Sequence, residues 1–271
     1  SSQNIRNKHF DWSTDLTFAY TKTTIKDVLS QANVINLVYN SGNNIRKGYP
    51  HRSIFSIPFV GLNDEGIPQV INEKGEVTTT DINFQEYQSL DFLKYEGPTE
   101  PTMNGGLNNT LRYKNWRLNI FLTYSFGNKI RLDPVFSSSY SDMSAMPKEF
   151  KNRWVMPGDE KITSIPAIAS VRQYYNDTQL SYAYNAYNYS TARIADGGFI
   201  RLKDVSLTYD VPRSFLAKIG LSTAAIKLDA TNLCLLYADD KLNGQDPEFV
   251  NAGGVATPLS KQFTLTVRLG L

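Results

Sequence analysis

Three features of the chain predict an all-β, antiparallel transmembrane barrel with long extracellular loops. The first is strict alternation in WRLNIFLTYSFG, residues 116–127. Trp116, Leu118, Ile120, Leu122, Tyr124 and Phe126 share one parity, and Arg117, Asn119, Thr123, Ser125 and Gly127 the other, with Phe121 as the exception. Successive strand side chains point to opposite faces, so one face is an apolar ribbon and the other mostly polar. The second feature is the aromatic–aliphatic–aromatic order along that ribbon, the profile of a strand whose rings sit at the two headgroup levels of a bilayer. The third is the regular alternation of short and long connections between strands, which in bacterial barrels separates tight turns on one rim from loops on the other.

The elements are expected in this order. Residues 10–22 place Phe10, Trp12, Leu16, Phe18 and Tyr20 opposite Asp11, Ser13, Asp15, Thr17 and Ala19. Residues 23–49 lose the alternation and read as a loop with a short helix at 25–32. Residues 50–61 put Phe55, Ile57 and Phe59 on one face, but Pro58 cannot donate to a ladder, so this strand is expected to be bulged, broken or at an edge. A turn at LNDEG and a short strand at 67–73 follow, then a polar loop to 102. Residues 103–113 and 116–127 form a hairpin closed by Lys114–Asn115. Residues 128–197 form a long irregular stretch, of the kind that is functional or disordered. The strand 198–210 changes parity between Leu202 and Val205, which predicts a bulge near Lys203–Asp204. After a connection with a helical turn come strands at 224–236 and 263–271, the last with Phe263, Leu265, Val267, Leu269 and Leu271 on one face. These make about eight strands, with short links at 62–66, 114–115 and 211–222. A β-sandwich could supply any one such strand, but it has no reason to gather its long loops at one end.

The bulk composition narrows the function classes. Mean hydropathy is −0.35, which a barrel tolerates because every second residue faces the lumen. There is no run of 18 apolar residues, so a transmembrane helix is excluded. A net charge of +2, with basic residues scattered, gives no footprint for nucleic acid. Cys234 is the single cysteine, so neither an internal disulfide nor a multi-cysteine metal site is expected. The segment SSQNIRNKHF has no apolar core of a signal peptide. An outer-membrane protein should carry one, so it is expected to have been removed or to belong to a longer chain.

The ordered series GPTEPTMNGGLNNTLRYKNWRLNIFLTYSFGNKI, NRWVMPGDE, GGFIRLKDVSLTYDVP, ATNL, DPEF and the terminal strand resembles the C-terminal third of SusC/RagA-type TonB-dependent outer-membrane transporters of Bacteroidetes, from about residue 8 to 271. The resemblance implies a barrel of about 22 strands around an N-terminal plug, with residues 1–271 supplying about eight C-terminal strands. It also implies a SusD-like lipoprotein as a lid, energy from TonB, outer-membrane lipid around the wall, and import of oligosaccharides or oligopeptides. The plug, the TonB-contacting segment and the earlier strands have no counterpart in this length. About eight strands taken from so large a barrel have the wrong curvature to close, so a portion of a longer protein is expected. The alternative is a small secreted or outer-membrane barrel or sandwich acting as a binding or adhesion module, which would be a monomer without detergent.

No enzyme is expected. His9 and His51 are the only histidines, neither has a second metal ligand at the usual spacing, and no phosphate loop or nucleophile elbow is present. No cofactor or metal is expected. Asp239–Asp240 and Asp246–Glu248 are carboxylate pairs of calcium-ligand type, but loop acids are more often solvated or hydrogen-bonded to turns. The candidates for substrate or lid contact are Tyr174, Tyr175, Tyr182, Tyr184, Tyr187 and Tyr189. Tyrosine offers a flat face and a hydroxyl at low entropic cost, although packing of the loop on itself or on the lid is favoured over substrate contact. Asp15, Arg117, Lys227, Asp229 and Arg268 are expected to face the lumen, where they could tune what passes and are equally explained as solvated wall residues or wall-to-plug salt bridges.

Overall fold

The computed structural model describes residues 1–29, 31–39, 45–135, 147–218, 220–250 and 259–270. In chain order the strands are β1 (Ser2–Arg6), β2 (Phe10–Tyr20), β3 (Ser53–Ser56), β4 (Phe59–Leu62), β5 (Pro68–Ile71), β6 (Val77–Thr78), β7 (Lys94–Pro98), β8 (Met103–Tyr113), β9 (Trp116–Phe126), β10 (Lys129–Arg131), β11 (Ile194–Asp196), β12 (Phe199–Asp210), β13 (Thr223–Tyr237) and β14 (Gln262–Gly270). The α-helices are α1 (Val34–Tyr39), α2 (Val171–Asn176), α3 (Leu180–Asn188) and α4 (Arg213–Leu216).

Seven strands form one antiparallel wall in the order β1-β2-β8-β9-β12-β13-β14. Its connections alternate: 7–9, 114–115 and 211–222 at one rim, and 21–102, 127–198 and 238–261 at the other. The expected rule therefore holds with fewer, longer insertions.

Register carries the sidedness across strands. Phe10 pairs with Tyr113, Tyr113 with Trp116, and Trp116 with Tyr209, which makes an aromatic row at the short-turn rim. Toward the other rim, Tyr20 pairs with Met103, Met103 with Phe126, and Ile200 with both Tyr124 and Tyr237. Between the two rows, Leu16, Leu107, Leu122 and Leu202 run side by side, as do Leu111, Leu118, Leu207, Leu228 and Leu265. Ten residues from Trp116 to Phe126 cover about 33 Å along a strand, or about 25 Å of bilayer at a tilt of about 40°. One polar side chain on this face, Asn109, has its oxygen occupied by Trp12 Nε1 at 3.0 Å and the Thr14 hydroxyl at 2.8 Å.

Local departures have local causes. The parity change in β12 is a bulge at Lys203: Leu202 pairs with Leu122, but Asp204 pairs with Phe121. The expected bulge is therefore present. Phe121, the apolar exception on the polar parity, covers Gly106 on that face, and Tyr124 covers Gly105 on the other. A Cβ at either glycine would meet these rings. The Tyr124 hydroxyl then reaches the Thr17 carbonyl at 2.9 Å.

Several expectations are corrected. The expected strands at 50–61 and 67–73 do not join the wall. They break into β3, which pairs with β7, and β4 and β5, which pair with each other and with β6. Ser53–Ser56 are buried on both faces, so this segment is core rather than half-lipid, half-lumen. The helix expected at 25–32 forms at α1 instead, and residues 128–197 contain β10, β11, α2 and α3. The first wall strand, β1, has Ile5 as its one apolar residue and carries no alternating signal.

The hydrophobic core lies outside the wall. Val34, Leu37, Val38, Phe55, Ile57, Val70, Ile82 and Leu93 of the first insertion pack with Ala186 of the second. A second cluster joins Ile130, Leu132 and Ala195 to Leu242 of the third. The third insertion is tied to the wall by Arg201 of β12. Its guanidinium meets both oxygens of Asp246 at 2.6 Å and Glu248 at 2.8 Å, and the Arg201 and Asp246 side chains are 6% and 5% exposed.

Two outcomes follow for the complete protein in lipid vesicles. Leu122→Arg, facing hydrocarbon at mid-wall, should lower unfolding stability by about 2–4 kcal/mol in urea titration, and Asn119→Arg, on the polar face, by less than about 1 kcal/mol. Equal losses would mean that the two faces are misassigned. Arg201→Met should cost about 3–5 kcal/mol by stranding the Asp246 carboxylate. It should expose residues 238–250 to protease, and Arg201→Met with Asp246→Leu should restore much of the protection. A single variant as resistant as the native protein would show that the ion pair does not hold this segment.

Candidate functional site

Two features of the structure are shaped to bind something: an aromatic cleft on the insertion body and a charged concavity on the polar face of the wall.

The cleft depends on α3. The tyrosine run LSYAYNAYN folds as a helix, so its tyrosines separate by helical rather than strand spacing. Tyr184 and Tyr187, three apart, point inward and are 1% exposed. The Tyr184 hydroxyl donates to the Ala167 carbonyl at 2.8 Å. Tyr187 packs edge-on to Phe59, its ring centroid 5.5 Å away, and beneath Arg193. Burial pushes the Tyr187 phenol up to about 12. These two tyrosines take the self-packing role and offer no surface to a ligand, which corrects their candidacy. Tyr182 and Asn185, on the opposite side of α3, face outward. With Ile35, Tyr39, Phe84 and Tyr189 they line a cleft of about 270 Å³. Tyr39 meets Tyr189 edge-on at 5.8 Å, and Phe84 lies 6.2 Å from Tyr182. Tyr189 is half-buried and its phenol is raised by that burial. Tyr175 is exposed on α2, away from the cleft lining. The side chain of Tyr174 lies outside the described residues.

The cleft forms only where the insertions interlock. Ile57 and Ser190 make a parallel bridge between them. Arg131 of β10 donates to the Phe55 carbonyl at 2.6 Å and lies over the Tyr189 ring. Burial lowers the Arg131 guanidinium to about 10. Arg193 joins Glu149 and the Asp133 carbonyl, each at 2.6 Å. Ile35, Tyr39 and Phe84 carry no sequence signal for this cleft, because they come from separate segments. The start of α2 was readable: Ser170 and Gln173 form a capping box, the S-x-x-Q pattern.

The second feature is a concavity of about 420 Å³ near the short-turn rim, lined by polar-face residues of β8, β9, β12, β13 and β14. Of the expected lumen residues, Arg117, Lys227 and Arg268 meet here, joined by Arg112, Thr208 and Asp210. Arg117 reaches Asp210 at 3.7 Å, and Lys227 reaches Asp229 at 3.1 Å. Asp229 stands beside this group, whereas Asp15 pairs with Asn108 farther up the wall. Arg112 was readable from the hairpin, since a two-residue turn with Tyr113 opposite Trp116 sets it opposite Arg117.

Three of the four loop carboxylates, Asp239, Asp246 and Glu248, are already engaged. Asp239 accepts from the backbone N–H groups of Asp196 at 2.7 Å and Lys241 at 2.9 Å, while Asp246 and Glu248 hold Arg201. Among the described residues no group of three or more metal-ligating side chains occurs.

No family model matches the chain. It is 25% identical over 261 residues to TonB-dependent receptor P3 of Formosa agariphila, covering 92% of this chain and 24% of that protein. It is 28% identical over 281 residues to TonB-dependent receptor P26 of the same organism, covering 93% of this chain and 25% of that protein. The chain thus spans about a quarter of the length of the curated relatives it matches. Its fold is similar to structures of the RagAB peptide transporter, with a TM-score of 0.68 at 22% identity over 98% of this chain and 28% of that one. The closed-closed state of the RagAB peptide importer gives 0.69 at 23%, again over 98% and 28%. These relatives are receptors and transporters by name, not enzymes. The seven-stranded wall, its one-sided insertions and its sequence kinship make the chain a relative of the TonB-dependent receptors.

Proposed function

We propose that residues 1–271 are the C-terminal portion of the barrel of a SusC/RagA-type importer in the bacterial outer membrane. The observation that carries this reading is the open wall. Its aliphatic band is framed by two aromatic rows, and both edge strands, β1 and β14, have a neighbour on one side only. Hydrocarbon cannot satisfy free edge groups, so such a sheet is completed by further strands. The match to about a quarter of each relative supports the same conclusion.

In this reading the short-turn rim is periplasmic and the insertion body extracellular. A SusD-like lipoprotein closes over that body, an oligosaccharide or oligopeptide is captured between them, and TonB acts through a plug elsewhere in the protein to open a path. This portion contributes wall, lid-contacting surface and part of the cavity. Tyr39, Tyr182 and Tyr189 supply aromatic faces to cargo or lid.

The test is the intact mass of the polypeptide isolated from its native membrane, with its co-purifying partners. A mass roughly four times the 30.5 kDa of this chain, as the one-quarter coverage implies, and a bound lipoprotein are expected. A 30.5 kDa monomer without detergent would replace the importer with a small binding module. Tyr182→Ala should weaken lid or cargo binding about tenfold without unfolding the protein. Tyr184→Ala should instead destabilise the insertion body by about 3–5 kcal/mol, as loss of a large buried ring does.

A further inference from the structure

We propose that the short-turn rim of the wall is a docking surface for anionic phospholipid, a glycerophospholipid whose headgroup carries net negative charge, with Lys114 and Trp116 at its centre. This rests on the reading of the chain as barrel wall and adds a lipid partner to it.

The charge at this rim has one sign. The three short links, residues 7–9, 114–115 and 211–222, hold Lys8, Lys114, Arg213 and Lys218 and no Asp or Glu. The long insertions at the other rim together hold more acidic than basic residues. All four rim cations are exposed, and none has an acidic side chain within 4 Å among the described residues. The acids flanking the links stand on the polar face. Asp11 is opposite Arg6 and Arg112, and Asp210 is 3.7 Å from Arg117.

The links are joined into one surface. The Lys114 N–H donates to the His9 carbonyl at 3.1 Å. The Asp210 N–H donates to the Asn115 carbonyl at 2.9 Å, and the Asn115 side chain donates to the Asp210 carbonyl at 2.8 Å. The cations are therefore carried on neighbouring stretches of backbone.

The aromatic row sets their depth. Lys114 has a φ of +53°, and its ammonium lies 5.3 Å from the centroid of the Tyr113 ring. Tyr113 stands opposite Trp116 on the apolar face, and the Trp116 ring is 4.6 Å from that of Tyr209. Rings in such a row sit at headgroup level, so Lys114 is held at the depth of the lipid phosphates. Trp116 is 47% exposed, and its indole N–H has no hydrogen-bond partner among the described residues. A phosphodiester at this level meets an ammonium and, across the same turn, an indole donor. On the link 211–222, Leu216 is buried and Phe215 is exposed between Arg213 and Lys218. An apolar ring flanked by cations is a pattern of segments that lie in a membrane interface. Each Lys or Arg near an anionic surface strengthens attachment by about fivefold. Four of them distinguish an anionic from a zwitterionic headgroup, which the rings alone do not. This face is turned away from the lumen, so neither plug nor cargo covers it.

The experiment uses the complete protein in nanodiscs of equal parts phosphatidylglycerol and phosphatidylethanolamine. Each lipid is supplied in turn with brominated tails, and quenching of Trp116 fluorescence is read as the difference from Trp116→Phe. Brominated phosphatidylglycerol should quench at least about twofold more than brominated phosphatidylethanolamine, and salt should shrink the difference. Lys8→Gln, Lys114→Gln, Arg213→Gln and Lys218→Gln combined should remove the preference. Lys22→Gln with Lys26→Gln, exposed at the other rim, should leave it unchanged. Equal quenching by the two lipids overturns the proposal. So does a preference that survives the fourfold substitution, or one that the Lys22 and Lys26 pair removes equally. A preference abolished by inorganic phosphate would mark a site for any phosphate group and also overturn it. An acidic periplasmic protein that binds the native rim but not the fourfold variant, with no lipid preference, would replace lipid as the occupant. The importer reading survives each of these failures, because it stands on intact mass and lipoprotein co-purification. Quenching by neither lipid would instead show that Trp116 does not face the bilayer, and the barrel-wall reading would fall with the proposal.

Discussion

The constraint behind this structure is that each wall strand serves two solvents. Every backbone group must be paired along the sheet, one face must be apolar enough for hydrocarbon, and the other polar enough for a wet lumen. That leaves the wall no residues for a conventional core. Leu16, Phe18, Phe263 and Leu265, large apolar side chains, are all exposed on this sheet. The buried apolar side chains gather instead in the insertions.

The insertions solve a different problem. They are long segments with little regular structure, so they are held by a few buried cations as well as by apolar packing. Arg131, Arg193 and Arg201 each reach from one segment to another, to a backbone carbonyl or a carboxylate. Guanidinium suits this task because it stays charged and offers several donors in a fixed plane. Burying such charges is not a cheap source of stability, but it fixes geometry, and the aromatic cleft between α1 and α3 exists only at that geometry.

What could be read from the sequence follows from how local the physics is. The hairpin at Met103–Phe126 was legible because a sheet with one apolar and one polar face imposes period two along its strands, Phe121 and Asn109 apart, and the two-residue turn fixes its register. The bulge at Lys203 was legible because it reverses that parity. Residues 53–57 carried an apolar alternation but were buried on both faces, so the pattern could not say which partner they had. Ser2–Arg6, polar but for Ile5 and without alternation, joined the wall through backbone pairing and through the Gln3 and Asn4 amides, which donate to Asp11 and Thr14 of β2. The tyrosine run looked like a strip of recognition residues. Helical folding divided it into inward Tyr184 and Tyr187 and outward Tyr182. Arg112 stands opposite Arg117 by the arithmetic of the turn, whereas Thr208 joins them through a bulged strand whose register the sequence does not specify.

The bridge between Ile57 and Ser190 has a consequence for strand register. Its two halves lie on either side of the β8–β9 hairpin in the chain, so the contact spans that hairpin and ties the segment before it to the segment after it. A slip of two residues in the wall would keep every side chain on its proper face but shift one insertion against the other by about 6–7 Å. Face-by-face alternation would tolerate that error, because it distinguishes only polar from apolar. The interlocked insertions would not, because Arg131 would miss the Phe55 carbonyl and the cluster around Phe55 and Ala186 would fail to mate. The contacts between the insertions thus specify a register that the alternation of the wall strands alone does not.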